Sequence, residues 1–363
     1  MTYASSVPYR AGTEGYASFR IPAVVRARSG AVLAFAEGRV DSAGDAGHID
    51  IVLKRSTDGG RTWGPLRRVA RNGTATAGNP APVVLAGGRV LLVHVRAAAD
   101  ATEDRIRRGL VRPADGRRVW LQHSDDDGAN WSPPREITDR TKLPGWRWYA
   151  TGPGHALRLR HGPYAGRLVV PANHSVPPTD PGDTGTESRY EGGHLLLSDD
   201  DGATWRIGAA GLGAAATVAP NETTAAELPD GTVYLNARNA ATAAWRRLDA
   251  VSTDGGERLA APFRPQAGLT GPRVQGSALH LDDRGALLFS GPAHPDARAL
   301  MTVRASRDGG LTWRPAHTVD GRPAGYGDLV RLDRDTVGLL HETGDFGAYE
   351  TLTFRRIPLA GLV

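Results

Sequence analysis

One short phrase recurs six times along the 363 residues: a glycine or aspartate, one further residue, then a run of β-type apolar side chains. It occurs as Gly30-Ala-Val-Leu-Ala-Phe, Gly88-Arg-Val-Leu-Leu-Val, Gly166-Arg-Leu-Val-Val-Pro, Gly231-Thr-Val-Tyr-Leu-Asn, Gly285-Ala-Leu-Leu-Phe-Ser and Asp335-Thr-Val-Gly-Leu-Leu, at steps of 58, 78, 65, 54 and 50 residues. Ahead of each phrase lies a second short apolar segment, such as Arg20-Ile-Pro-Ala-Val-Val or Asn79-Pro-Ala-Pro-Val-Val, so each pair reads as a hairpin turned by Gly or Asp. A third signature follows the pair: Ser-x-Asp-x-Gly-x-x-Trp at Ser56–Trp63, Ser124–Trp131, Ser198–Trp205 and Ser306–Trp313, with a worn copy from Ser252 in which Leu259 replaces the tryptophan. Ser and Asp oxygens can bond turn amides, Gly supplies positive φ and Trp covers the turn, so this signature is structural.

Repeats of 50 to 78 residues, each with about four strand-sized pieces and no amphipathic helix, predict an all-β chain folded as a six-bladed β-propeller over residues 1–363 as a single domain. Only 28 residues follow Asp335, so the N-terminal segment is expected to lend the last unit a strand and close the ring.

With 40% hydrophobic and 23% charged residues the chain can bury a core, which excludes disorder and fibre. Cysteine is absent, which excludes disulfides and thiolate chemistry. The formal charge of +5 and pI near 9.7 come from arginines spread along the chain, Lys54 and Lys142 being its only lysines, so no nucleic-acid partner is indicated. The opening residues lack a basic start and apolar core, and apolar stretches such as Ala31 to Ala36 are too short to span a bilayer. The expectation is therefore no membrane association and a cytoplasmic location as the chain stands, or secretion if it is trimmed from a longer one.

In a propeller the first strand of each blade lies nearest the axis, so equivalent strand ends converge on one mouth. Arg20, Asn79, Glu222, Gln275 and Tyr326 sit at or beside those starts, and Glu37, Arg39, Arg96, His174, Arg238 and Glu342 follow the second strands. Arginines, carboxylates and a tyrosine gathered at a mouth make a candidate site. The histidines form no close ligand pair on one strand, so no metal site is expected. Trp146, Trp148, Tyr149 and Tyr190 can either floor the pocket or fill blade interfaces.

These residues resemble the exo-α-sialidases (neuraminidases) over nearly the whole chain. The likeness is carried by Phe19-Arg20-Ile21-Pro22, the Asp-box repeats just described, Ala36-Glu37-Gly38-Arg39, Asp45 ahead of Ile49-Asp50-Ile51-Val52-Leu53, Thr151-Gly-Pro-Gly-His155, Asn221-Glu222, Asn236-Ala-Arg238-Asn239, and Tyr326 followed by His341-Glu342. The resemblance implies that Arg20, Arg238 and Arg298 grip a substrate carboxylate, with Arg304 as the alternative to Arg298. It further implies that Tyr326 is the nucleophile, Glu222 its base, and Asp45 the general acid, with Asp41 and Asp50 as rivals in the same stretch. Glu342 then orients Arg20, Arg39 touches a sugar hydroxyl, and Asn79-Pro80 stands where some bacterial members carry Asp before Pro.

The implied activity is that of a retaining hydrolase releasing terminal α-linked sialic acid from sialylated glycans, with no cofactor and as a monomer. A trans-sialidase or a non-catalytic sialoglycan-binding propeller are the alternatives.

Overall fold

The computed structural model describes residues 4–213, 217–241 and 245–363, and their regular structure is overwhelmingly β-strand. Residues 1–3 of the opening stretch, on which the expectation about export leans, lie outside the described residues. The α-helices among the described residues are the short segments Glu103–Arg107 and Thr138–Thr141. No described helix is long and apolar enough to cross a membrane.

Each repeat forms an antiparallel meander whose first hairpin turns on the repeated Gly or Asp. At Gly30, for example, φ is +98°, a left-handed value that a side chain would strain. Four sheets stand separately. One runs Pro220–Glu227, Val233–Asn239, Arg246–Ser252, Arg264–Thr270, and the next Ser277–Leu281, Ala286–Pro292, Met301–Ser306, Arg314–Thr318. A third joins Tyr149–Thr151 and Leu157–Arg158 to Leu168–Ser175, Glu191–Ser198 and Arg206–Leu212. The last repeat supplies Ala324–Arg331, Thr336–Thr343 and Thr351–Pro358, and Ser5–Arg10 pairs with the outermost of these as its fourth strand.

The expectation of six blades is corrected here. The first two repeats share one eight-stranded sheet, leaving four separate blades in the propeller. The reason is an open edge. The outer strand Arg67–Ala70 covers its neighbour Ile49–Ser56 only from Ile51 to Leu53, and Thr76 of the following repeat pairs in parallel with the uncovered Ile49.

The Ser-x-Asp-x-Gly turns bond alike in all five copies, including the worn one: the serine hydroxyl donates to the aspartate and the N–H of the glycine four residues on donates back to the serine, as in Ser252, Asp254 and Gly256. Three of the tryptophans donate Nε1–H to that glycine's carbonyl, whereas Trp63 donates to Ser6 at 2.8 Å because the N-terminal strand lies against it. A Cβ on Gly60 would overlap Phe354, so this turn also fixes how closely the first and last repeats approach. Val24, Ala34 and Val52 pack there against Leu340, Leu352 and Phe354 in one apolar cluster that closes the ring.

On the axis Asp328, 1% exposed, accepts from Val24 N (2.8 Å), His155 N (3.0 Å), His155 Nδ1 (2.8 Å) and Ser277 Oγ (2.7 Å), tying three sheets and the 152–156 connection together.

Candidate active site

Four innermost strands carry a β-bulge at the same place: between Arg20 and Ala23, Gly78 and Ala81, Pro220 and Thr223, and Ala324 and Gly327. A bulge adds one residue and re-aims its side chains. At Ile21 and Asn79 φ is +55°, an uncommon value for residues with a Cβ. The backbone there is held by carboxylates: Ile21 N and Tyr326 N donate to Glu342 (3.1 and 2.9 Å), and Asn79 N donates to Glu37 (2.8 Å). Glu37, Asn173, Arg238 and Glu342 all stand seven residues after the start of their repeat phrase. Bulges and second strands thus aim at one cavity of about 710 Å³.

Arg20 and Arg238 line it from strands of two different sheets, and Arg298 from the connection between Ala286–Pro292 and Met301–Ser306. Arg20 Nε donates to Glu342 Oε1 at 3.1 Å, and its guanidinium lies over the rings of Tyr349 (4.1 Å) and Tyr326 (5.3 Å). Burial favours its neutral form, but Glu342, Tyr326 and Tyr349 outweigh this and raise its pKa. Arg238 NH1 donates to Glu222 Oε2 at 3.1 Å and to Tyr326 Oη at 3.3 Å. Arg298 donates to Tyr349 Oη at 2.7 Å and to the Arg273 carbonyl at 3.0 Å. The alternative, Arg304, is 6% exposed, donates to the Thr270 carbonyl at 2.9 Å and does not reach the cavity. Glu342 does not line the cavity either: fully buried, it lies behind Arg20 and holds it.

Tyr326 Oη donates to Glu222 Oε1. Burial, and after it the Glu222 charge, raise the tyrosine pKa, while Arg238, Arg20 and Arg298 oppose them. The hydroxyl is therefore neutral at rest and already bonded to the group that can take its proton.

Across the cavity Asp45 lies on the 40–48 connection, its side chain 69% exposed, with Oδ1 at 2.7 Å from Arg39 NH1 and 3.3 Å from Arg20 NH1. Burial alone would raise its pKa, but Arg39 and Arg20 outweigh this and hold it below the usual carboxylate range. Its rivals are elsewhere: Asp50, 2% exposed, accepts from Tyr16 Oη at 2.9 Å, and Asp41 is exposed outside the cavity wall. Arg39 is itself fixed by Glu37 Oε2 at 3.0 and 2.6 Å. Asn79 accepts from Arg117 NH1 at 3.0 Å.

Of the other sequence candidates, Gln275 is buried on the axis, Arg96 lies against Trp120, and His174 stacks on Trp146 at 3.7 Å and bonds His194; none lines the cavity. Among the four aromatics only Trp148 does. Among the described residues no group of three or more His, Cys, Asp or Glu could hold a metal ion.

Sequence reasoning missed Glu103, Arg107, Arg117, Glu191 and Tyr349, all on the cavity wall, and gave Asn221 no role beyond the Asn221-Glu222 motif. Arg107 NH1 bonds Glu191 at 2.5 Å and Glu103 at 3.3 Å, and Asn221 donates to Glu191, forming a second, acceptor-rich side. Glu103, Arg107 and Arg117 come from the connection 98–117, which belongs to the longest repeat step, 78 residues; that length was the available signal. Tyr349 sits in the last hairpin connection and had none.

A β-propeller whose mouth gathers three arginines around a tyrosine–carboxylate pair is the class defined by this fold and site. Residues 30–341 match the family described as BNR repeat-like domain. The chain belongs to the exo-α-sialidase family of glycoside hydrolases. It is 34% identical over 350 residues to a sialidase of Micromonospora viridifaciens, covering 92% of this chain and 51% of that one. With an exo-alpha-sialidase of Aspergillus fumigatus it shares 30% identity over 382 residues, covering 96% and 86%. The solved structure of a Hadza microbial sialidase superposes with a TM-score of 0.83 at 26% identity, over 99% of this chain and 69% of that one. The chain thus spans about half the length of the Micromonospora relative.

Proposed function

We propose that the protein is a retaining exo-α-sialidase that hydrolyses terminal α-linked sialic acid from glycoconjugates through a tyrosyl-enzyme intermediate. The observation that carries this reading is the Tyr326–Glu222 hydrogen bond beneath Arg20, Arg238 and Arg298. Three permanently charged guanidinium groups select an anionic sugar and fix its carboxylate by paired hydrogen bonds. That carboxylate sits on the anomeric carbon, so an Asp or Glu nucleophile would approach against like charge, whereas a neutral tyrosine does not.

In the first step Tyr326 Oη attacks the anomeric carbon as Glu222 takes its proton, and the bond to the aglycone oxygen breaks as Asp45 supplies a proton to it. In the second step Asp45 takes a proton from water, whose oxygen displaces Tyr326, and Glu222 returns the tyrosine proton. Two displacements retain the anomeric configuration. The substrate carboxylate competes with Asp45 for Arg20, so binding itself weakens one of the two ion pairs, with Arg39 and Arg20, that keep Asp45 ionised. Glu342 holds Arg20 in place, and Arg39 and Asn79 meet the sugar's hydroxyl edge. The mechanism calls on no cofactor, and the chain acts as one catalytic unit, monomeric in solution.

The test is release of fluorophore from a 4-methylumbelliferyl α-sialoside by wild type and Tyr326→Phe. Wild-type turnover and a loss on the order of 10³-fold or more in the variant are expected. Sugar binding without wild-type turnover would instead make this a binding propeller, and products carrying sialic acid on an added acceptor would make it a transferase.

A further inference from the structure

We infer that Arg117 is a positioning residue that fixes the backbone of Asp45 for proton delivery to the leaving group. This rests on the reading of Asp45 as the general acid. Arg117 ends the 98–117 connection and is 3% exposed. Its NH2 donates to the Asp45 carbonyl at 3.1 Å, its NH1 to Asn79 Oδ1 at 3.0 Å, and its guanidinium lies 4.3 Å from the Trp148 ring centre. Its own carbonyl accepts from Lys142 Nζ at 2.9 Å, so the clamp is itself anchored.

Among the described residues, Arg117 supplies the hydrogen bond made to the Asp45 backbone. Residues 41–45 are exposed, and Gly44 and Gly47 bracket Asp45 and Ala46. Elsewhere on the connection Arg39 NH1 donates to the Ala43 carbonyl at 2.5 Å, Thr76 Oγ1 to the Gly47 carbonyl at 3.0 Å, Gly44 N to Ser42 Oγ at 3.1 Å and Val40 N to the His48 carbonyl at 3.0 Å, while the Asp45 side chain itself is paired with Arg39 and Arg20. With its carbonyl pinned, the Asp45 carboxyl exchanges Arg20 for the aglycone oxygen by side-chain rotation alone. A planar guanidinium can serve two acceptors at once and stack on an indole, which an ammonium cannot reproduce.

The step affected is protonation of the departing oxygen as its bond to the anomeric carbon breaks. A sugar alcohol needs that proton to leave, and a phenol of low pKa does not. The experiment compares kcat/KM, which is set by the steps up to loss of the aglycone and so leaves out the later step in which Asp45 acts as base, on sialyllactose and on the 4-methylumbelliferyl sialoside for Arg117→Met, Arg117→Lys and Asp45→Ala. Arg117→Met is expected to lose on the order of 10²-fold on sialyllactose and less than about fivefold on the aryl substrate, with Asp45→Ala split more widely and Arg117→Lys in between. Equal losses on both substrates for Arg117→Met, alongside a split in Asp45→Ala, would overturn the positioning role alone. No split in Asp45→Ala would overturn the acid assignment and this role with it. Should the Met variant fail to fold, Arg117→Gln, which keeps an NH₂ group but loses the charge and the planar fork, is read by the same ratio.

Discussion

Glu342→Gln is the perturbation that most directly probes how the site is assembled. The carboxylate is fully buried and accepts from Arg20 Nε at 3.1 Å, Ile21 N at 3.1 Å and Tyr326 N at 2.9 Å. Glutamine keeps the shape but loses the charge, and its NH₂ must face either the Tyr326 N–H or the Arg20 and Ile21 donors. Losing one partner of a buried ion pair costs about 3–5 kcal/mol, and because one acceptor oxygen survives we expect the low end, about 3 kcal/mol. At an unfolding entropy of about 2.1 cal/mol/K per residue, a chain of 363 residues shifts by about 1.3 °C per kcal/mol, which gives a fall in Tm of about 4 °C by calorimetry. Arg20 is left with only the exposed Asp45 as a charged partner, so kcat/KM on a sialoside is expected to drop by about 10- to 100-fold. In a double-mutant cycle with Arg20→Lys the two losses should fall short of additivity by more than about 0.5 kcal/mol. A Glu342→Gln protein with wild-type Tm and fully additive losses would refute the claim that this carboxylate organises Arg20 and both bulges.

Two further outcomes concern pH. Arg39 and Arg20 hold the Asp45 pKa low in the empty site, and a substrate carboxylate on Arg20 relieves part of that, so the alkaline limb of kcat should lie at higher pH than that of kcat/KM; coincident limbs in the two profiles would count against the displacement of Asp45 by substrate. Burial holds His94 and His174 at about 3, His341 at about 4, and His194 well below its ordinary value. These rings are neutral when folded and charge on unfolding, so stability is full above about pH 6.5 and lost as pH falls, by up to about 1.4 kcal/mol per pH unit for each. Calorimetric unfolding at pH 5 in buffers of different ionisation enthalpy should register proton uptake, and none would contradict their burial as neutral rings.

What was readable in the chain was whatever repeats. The hairpin phrase and the Ser-x-Asp-x-Gly turns each complete their bonding within about ten residues, so strands, turns and the all-β class follow from local chemistry. The same repeat offset brings Glu37, Arg238 and Glu342 to equivalent strand ends, and the innermost strands carry Arg20, Glu222 and Tyr326 towards them.

Tertiary structure decided three further things. The sheets divide into four separate blades and one fused sheet because Thr76 finds an unpaired edge at Ile49, and edge availability depends on where Arg67–Ala70 stops pairing. Ile21 and Asn79 take left-handed backbone angles that nothing in their residue types favours strongly enough to announce; carboxylates from the second strands hold the bulges that turn these residues inward. Arg117, Glu103, Glu191 and Tyr349 reach the cavity from connections or strand ends with no common offset in the repeat. Periodicity encodes what neighbouring residues must do, whereas a cavity wall is assembled from side chains whose only relation is their distance in space.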